Sequence, residues 1–295
     1  MPFFSNGMEY LIHIGILIAI YAILAISLNL IVGYTGLISV AQAAFYGLGA
    51  YATAILLTNF GLNFFLSILV GIVVSGVAGL LIGMVLSRFK GDYYVLGSFG
   101  FNILIYSIFL NWQGLTRGPL GIPGIDRPSI FGFTFSSNIS FLILVAVAAF
   151  IIFLFAQFIA RSSFGRVLKA IREDEEAIQI FGYQTHRFKL AIFVVSACLA
   201  GVAGAFFASY ITFIDPSTFT LNESIFILSI IILGGLANLR GSVLGAFCLI
   251  ILPEILRFVG FPSEIAAQMR QVVYGLILVL LMLYRPQGLM GEYKL

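Results

Sequence analysis

Apolar residues gather in long continuous runs near 10–32, 37–58, 64–86, 93–112, 139–160, 190–212, 223–239, 242–257 and 269–284, each bounded by charge, glycine or proline. A helix needs about 20 apolar residues to cross a bilayer, so the pattern predicts an all-α polytopic transmembrane bundle of eight or nine segments. Three runs, 37–58, 223–239 and 242–257, are short or broken by glycine, and any of them fits a re-entrant or discontinuous helix. Outer-membrane strands alternate over about 10 residues, whereas these runs are unbroken and about twice as long.

Two connections are long enough for structure of their own. The stretch 113–138 is rich in Gly, Pro and Ser and reads as a folded-back loop. The stretch 161–189 differs in kind. From Gly165 to Phe181, Val167, Leu168, Ile171, Ile178 and Phe181 share one helical face while Arg166, Lys169, Arg172, Glu173 and Glu176 turn elsewhere. This predicts an amphipathic helix off the membrane spans, its apolar stripe covered by a partner, by headgroups or by its own bundle.

Composition narrows the class. Of 295 residues, 61% are hydrophobic and 9% charged, with a mean hydropathy of +1.12, a balance that cannot cover a water-facing surface. The net charge of +3, spread along the chain, leaves no basic face for nucleic acid. Cys198 and Cys248 lie inside apolar runs, where a thiol behaves as a small hydrophobe. The N-terminal Met1-Pro2-Phe3-Phe4 carries no basic region, and the run that follows is too long for a signal-peptide core, so it reads as the first span.

Lysine and arginine set the orientation. Arg88, Lys90, Arg161, Arg166, Lys169, Arg172, Arg187, Lys189, Arg240, Arg285 and Lys294 fall on one set of connections, and Arg117, Arg127, Arg257 and Arg270 on the other. This asymmetry puts 161–189 and the C-terminus in the cytoplasm and 113–138 outside.

Small residues recur every four positions at Gly71, Ser75, Gly79 and Gly83 and again at Ala197, Gly201, Ala205 and Ser209, the spacing of close helix–helix seams. Two further segments, Gly33 to Tyr51 and Leu233 to Phe247, are glycine-broken and both end in Leu-Gly-Ala followed by an aromatic residue. Broken helices in both halves of a membrane protein point to a substrate path, because they expose backbone groups to a polar guest. Asn29, Thr35, Ser39 and Gln42 are the polar side chains there, and Asn102, Gly234 and Gly235 complete the candidate pathway.

Catalytic chemistry is not evident. The chain has no Gly-x-x-x-x-Gly-Lys-Ser/Thr stretch for ATP, His13 and His186 are far apart, and no nucleophile triad or paired carboxylates stand out. Glu9, Asp92, Asp215, Glu223 and Glu254 lie near the ends of runs, with Glu254 and Arg257 spaced as an exposed helical pair, so a mid-membrane proton relay is not indicated. Such a bundle is either a passive pore or is driven by another chain.

Several motifs coincide with a known family. Ser27-Leu28-Asn29-Leu30 through Tyr51, Lys90-Gly91-Asp92-Tyr93, Leu115-Thr116-Arg117-Gly118-Pro119-Leu120-Gly121-Ile122-Pro123-Gly124-Ile125, Gly165-Arg166 to Gly182, Lys189 to Gly204 and Gly234-Gly235 to Ala246 occur in that order. Together they resemble the permeases of branched-chain amino acid ABC importers of the LivH and LivM type, the LivM branch above all, over about 27–285. The resemblance implies one transmembrane permease domain over 1–295 with no cofactor of its own. It further implies a second, LivH-like permease beside it, two cytoplasmic ATPase subunits that bind ATP and Mg²⁺, an extracytoplasmic substrate-binding protein, and residence in the bacterial cytoplasmic membrane among its lipids. In such importers a permease helix with Glu-Ala-Ala, three residues, then Gly docks on the ATPase. Glu176-Ala177-Ile178, then Gln179-Ile180-Phe181, then Gly182 fits, with Ile178 in place of the second Ala, so Arg172, Glu175, Glu176, Ala177 and Gly182 are the implied coupling residues.

Departures from the family pattern are Gln42 where His is frequent, no acidic residue near Phe101-Asn102, and Arg117 where Gly is usual. The expected function is uptake of leucine, isoleucine and valine. The alternatives are a sister permease for urea, short amides or other amino acids, and a passive channel or secondary carrier.

Overall fold

The computed structural model describes residues 2–89, 91–130, 133–135, 137–258 and 287–291, with isolated positions between 272 and 283. Its helices are α1 (Pro2–Thr35), α2 (Gln42–Phe60), α3 (Phe64–Leu86), α4 (Asp92–Asn111), the short α5 (Gln113–Thr116), α6 (Asn138–Arg161), α7 (Ser163–Glu173), α8 (Glu175–Ile180), α9 (Thr185–Ile211), α10 (Leu221–Gly234) and α11 (Leu239–Phe258). Six of these, α1 to α4, α6 and α9, are long and apolar enough to cross a membrane, and α10 with α11 makes a pair bent by 118° at its break. The all-α polytopic bundle expected from the apolar runs is therefore present. The run 269–284 falls largely outside the described residues, as do the side chains of Glu254 and Arg257.

Hydropathy sets the lengths and caps set the ends. Asn63 starts α3 by accepting from the Phe65 N–H at 3.1 Å, and Gly61 closes α2 in the left-handed conformation at φ 57°. Buried α1 runs through the middle, with Ile16, Ile20, Ile23, Leu24 and Leu28 at 0% exposure, and packs on α6, α9, α10 and α11. Helix α9 packs on α2 and α3. The two small-residue stripes meet each other there: a Cβ on Gly79 would lie 2.6 Å from that of Ala197, and one on Gly201 2.6 Å from Ser75 Oγ. On the periphery α3 and α6 turn Val73, Val77, Leu81, Phe150, Ile151 and Phe158 outward, as lipid-facing helices do.

One end of the bundle is capped by α5 and four two-residue strands: β1 (Ile122–Pro123), β2 (Ser129–Ile130), β3 (Phe133–Thr134) and β4 (Phe213–Ile214). Strands β1 and β4 pair antiparallel with Ile122 opposite Ile214, so the loop 113–138 is folded onto the end of α9. The opposite end carries α7 and α8, and there Arg161, Lys169 and Arg240 line one cavity. Cations separated widely in sequence thus meet at the end to which their connections assign them.

Two expectations change. The interruption in the first glycine segment precedes α2 instead of falling within it: Gly36, at φ 73°, turns the chain out of α1, residues 36–41 are non-helical, and α2 then runs unbroken for 19 residues. The amphipathic stretch 165–181 is two helices, not one. Asp174 adopts an extended backbone at φ −155° and its Oδ1 accepts from the Ala177 N–H at 3.0 Å, ending α7 and capping α8.

Candidate functional site

Two polar assemblies lie inside the bundle. The first surrounds the break between α10 and α11. Buried Asn29, on α1, donates from Nδ2 to Gly235 O at 3.3 Å, to Asn238 O at 3.1 Å and to Ser242 Oγ at 2.6 Å, while its Oδ1 accepts from the Ala237 N–H at 3.0 Å. One amide therefore pairs Gly235 O and the Ala237 N–H at the bend and adds a second donor to Asn238 O, which also takes the Ser242 N–H at 3.1 Å. One turn along α1, a Cβ on Gly33 would come 1.8 Å from Asn29 Oδ1 and 2.5 Å from Ala237 N, so only glycine lets the break approach. Gly234 and Gly235 are buried in it, and their neighbours 289 and 290 donate to Leu233 O at 2.9 Å and Gly234 O at 3.0 Å. In this conformation the backbone groups around the break are paired from within the chain, by Asn29 and by residues 289 and 290.

The second assembly is built on the non-helical stretch 36–41. Gln42 Nε2 donates to Ser27 Oγ, which lies eight residues before the end of α1 and hence about 12 Å along its axis from that end. Irregular backbone thus reaches well into the bundle, where each N–H needs a partner. Ser98 Oγ accepts from the Val40 N–H at 3.1 Å, Ser39 Oγ from the Ala41 N–H at 3.3 Å, and Ser224 Oγ from the Ala43 N–H at 2.9 Å. Asn102 Nδ2 also donates to Ser224 Oγ, at 3.0 Å. Its Oδ1 is buried with no partner among the described residues. Ser39, Gln42 and Asn102 are thereby brought together, with Ser27, Ser98 and Ser224 as members that the sequence reading did not single out. Asn29 belongs to the other assembly, and Thr35 turns back to Ile31 O at 2.7 Å.

The α7–α8 elbow joins the bundle through charged side chains. Arg172 Nη1 donates to Gly33 O and, at 3.4 Å, to Val32 O, placing a cation on the C-terminal carbonyls of α1. Glu175 pairs with Lys189 on α9 and accepts from Thr185 Oγ1 at 3.0 Å. Leu168 and Ile171 are buried against the bundle, at 0% and 3% exposure, so part of the apolar stripe is covered internally. The remainder is not, since Ile180 and Phe181 are 85% and 76% exposed. Glu176 is exposed and Ala177 half-buried on α8. Gly182 follows at φ 86°, with its N–H on Gln179 O at 2.9 Å and the Tyr183 N–H on Ile178 O at 3.3 Å, a Schellman closure of the elbow. Asp174, Thr185 and Lys189 were missed in sequence. An Asp followed by two glutamates is a helix-start signal that could have located the cap.

No group of three or more metal-binding side chains occurs among the described residues. A family profile described as the permease component of branched-chain amino acid transport systems matches residues 10–282. The chain is 33% identical, over 302 aligned positions, to the high-affinity branched-chain amino acid transport system permease protein LivM of Escherichia coli (strain K12), covering 95% of this chain and 69% of that one. Its Salmonella typhimurium counterpart is 34% identical with the same coverage. The LivH permease of Salmonella typhimurium is 24% identical over 301 positions, covering 92% of this chain and 91% of that protein. No solved structure matches the chain.

Proposed function

Because this chain belongs to the family of branched-chain amino acid transport permeases, we propose that it is one permease subunit of an ABC importer that carries leucine, isoleucine and valine across the bacterial cytoplasmic membrane. A paralogous permease stands beside it, two cytoplasmic ATPase subunits hold ATP and Mg²⁺, and an extracytoplasmic protein delivers substrate. Similarity to both LivM and LivH proteins supports the paired permease. The lysine and arginine asymmetry supports a cytoplasmic α7–α8 elbow and C-terminus and an extracytoplasmic 113–138 loop.

The observation that carries the reading is the elbow itself. A short helix that ends in two exposed apolar side chains, Ile180 and Phe181, is anchored by charged side chains on either side, to main-chain carbonyls of α1 through Arg172 and to Lys189 of α9 through Glu175. Such a knuckle suits an apolar groove on an ATPase, with Ala177 allowing close approach and Glu176 setting register. Closure of the ATPases displaces the knuckle, and α1 and α9 move with it. An amino acid zwitterion needs polar partners while it crosses. Ser39, Gln42 and Asn102 supply them, the unpaired Asn102 Oδ1 being suited to an ammonium, whereas Asn29, Gly234 and Gly235 act by holding the shape of the break.

Replacement of both exposed residues, Ile180→Asp with Phe181→Arg, tests this. The expected result is loss of ATPase copurification and of ATP-driven uptake of labelled leucine at an unchanged melting temperature. ATP-independent leucine flux by the chain alone, or full uptake by the double variant, would overturn it, and competition by urea or amides would reassign the substrate.

A further inference from the structure

At the elbow end, a polar cavity of about 330 Å³ opens between α1, α6, α7 and the start of α11. Arg161 comes from the last turn of α6, Lys169 from α7 and Arg240 from the first turn of α11, with Gln157 and Asn238 between them. Lys169 Nζ sits 5.5 Å from the centroid of the Tyr34 ring, which fixes one side. No acidic side chain among the described residues lines the cavity. Arg161 and Arg240 therefore face one space from two helices, beside Lys169, a setting that suits an anion.

The cavity is not closed on all sides. Gln157 and Arg161 also line an adjoining space of about 420 Å³ together with Leu154, Phe158 and Ser162. Leu154 and Phe158 are 47% and 74% exposed on the outer face of α6. With 24 residues and a rise of about 1.5 Å each, α6 outspans a hydrocarbon core of about 30 Å, so its final residue Arg161 falls at headgroup level and Phe158 just within the acyl region. A polar, cationic chamber thus continues into an apolar face that lies in lipid. Free phosphate would use only the first part, whereas a phospholipid would use both.

We propose that this cavity binds the phosphate of an anionic phospholipid, with Arg161 and Arg240 on the headgroup and the acyl chains laid along α6 past Phe158 and Leu154. Bound there, the lipid touches α6, the elbow helix α7 and the start of α11 beside the break, and so ties membrane composition to the part of the fold that the transport reading sets in motion. The proposal rests on that reading only for which leaflet the lipid occupies.

The test uses the delipidated full-length protein incubated with phosphatidylglycerol, phosphatidylcholine or inorganic phosphate and weighed by native mass spectrometry. Retention of phosphatidylglycerol over phosphatidylcholine is expected. Arg161→Gln with Arg240→Gln should lower it about tenfold or more, and Arg161→Lys with Arg240→Lys should restore it. Equal retention of both lipids, indifference to the double Gln variant, or displacement of phosphatidylglycerol by equimolar inorganic phosphate would overturn the proposal. Should the Gln variant fail to fold, a photoactivatable phosphatidylglycerol on the unaltered protein should label 151–161, and labelling confined to other segments would refute the site. Lipid retention is read without nucleotide or uptake, so failure here leaves the importer reading standing, and failure of that reading leaves this one.

Discussion

Truncation of Asn29 separates a clamp from a substrate contact. In Asn29→Ala the Ala237 N–H and Gly235 O lose their partner inside the bundle, while Asn238 O keeps the Ser242 N–H at 3.1 Å. Two stranded buried groups at about 1–3 kcal/mol each give a loss of about 2–6 kcal/mol. Ala237 adds to this because its φ of 60° is a left-handed conformation for a residue with a Cβ, and surrounding bonds must impose it. At about 2–4 °C per kcal/mol, a mid-range loss of about 4 kcal/mol lowers the melting temperature by roughly 8–16 °C.

Thermal unfolding of the purified protein in detergent, followed by intrinsic fluorescence, measures the shift. Gly33→Ala should act on the same clamp, since its Cβ would meet Asn29 Oδ1 at 1.8 Å. The double variant should then lose less than the two single losses added together, because one partner of the clash is gone. A melting temperature within about 2 °C of the parent for Asn29→Ala, with a raised KM for leucine, would refute the clamp and return Asn29 to the pathway.

Other expectations follow from packing and charge. Gly204→Ala should cost about 3 kcal/mol in the same melt, because its Cβ would stand 2.1 Å from Tyr46 O and 2.7 Å from Ala50 N, both backbone atoms of α2. An unchanged melting temperature would disprove the contact. Arg117→Gly should stabilise by about 1 kcal/mol, since Arg117 holds φ 59°, and a fall in melting temperature would refute that account. Glu175→Leu should cost about 1–2 kcal/mol by leaving Lys189, at 8% exposure, without its counter-charge, and adding Lys189→Met should recover most of the loss. A double variant no better than the single would show that the pair contributes nothing specific.

Much of the bundle was legible because one force dominates it. The run 64–86 becomes Phe64–Leu86 and the run 139–160 becomes Asn138–Arg161, since a span must be apolar for its whole length and its ends are polar by necessity. The small-residue stripes were also readable, for a four-residue period leaves a seam that only another seam can meet, as Gly79 and Ala197 do. Periodicity failed at Asp174, where the apolar stripe continues in phase from Leu168 and Ile171 to Ile178 while the backbone breaks. A local cap overrode the pattern there. The contacts that Asn29 and Arg172 make within the chain were out of reach for another reason. Their partners are more than 130 residues away, and nothing in an Asn or an Arg says whether its donors will meet a guest, a partner chain or a distant turn of its own backbone.

These two long-range contacts fall on the same stretch of α1. Asn29 grips the α10–α11 break, and one turn later the carbonyls at Val32 and Gly33 receive Arg172 from α7. The last carbonyls of a helix lack intrahelical donors, so these side chains add directed contacts to the apolar packing of Leu30, Ile31 and Val32. In the proposed importer, a push on Ile180 and Phe181 reaches α1 through Arg172 and reaches the break through Asn29, with no more than one helical turn between them. The Glu175–Lys189 pair gives α9 the same push, and α9 carries α2 and α3 by glycine contacts too close to slide. Helix α4 has far fewer contacts with these elements, yet it brings Asn102 and Ser98 to the polar layer around 36–43. In the proposed importer the place for relative motion is where α4 meets that layer, beside Asn102 Oδ1, which is buried without a partner among the described residues.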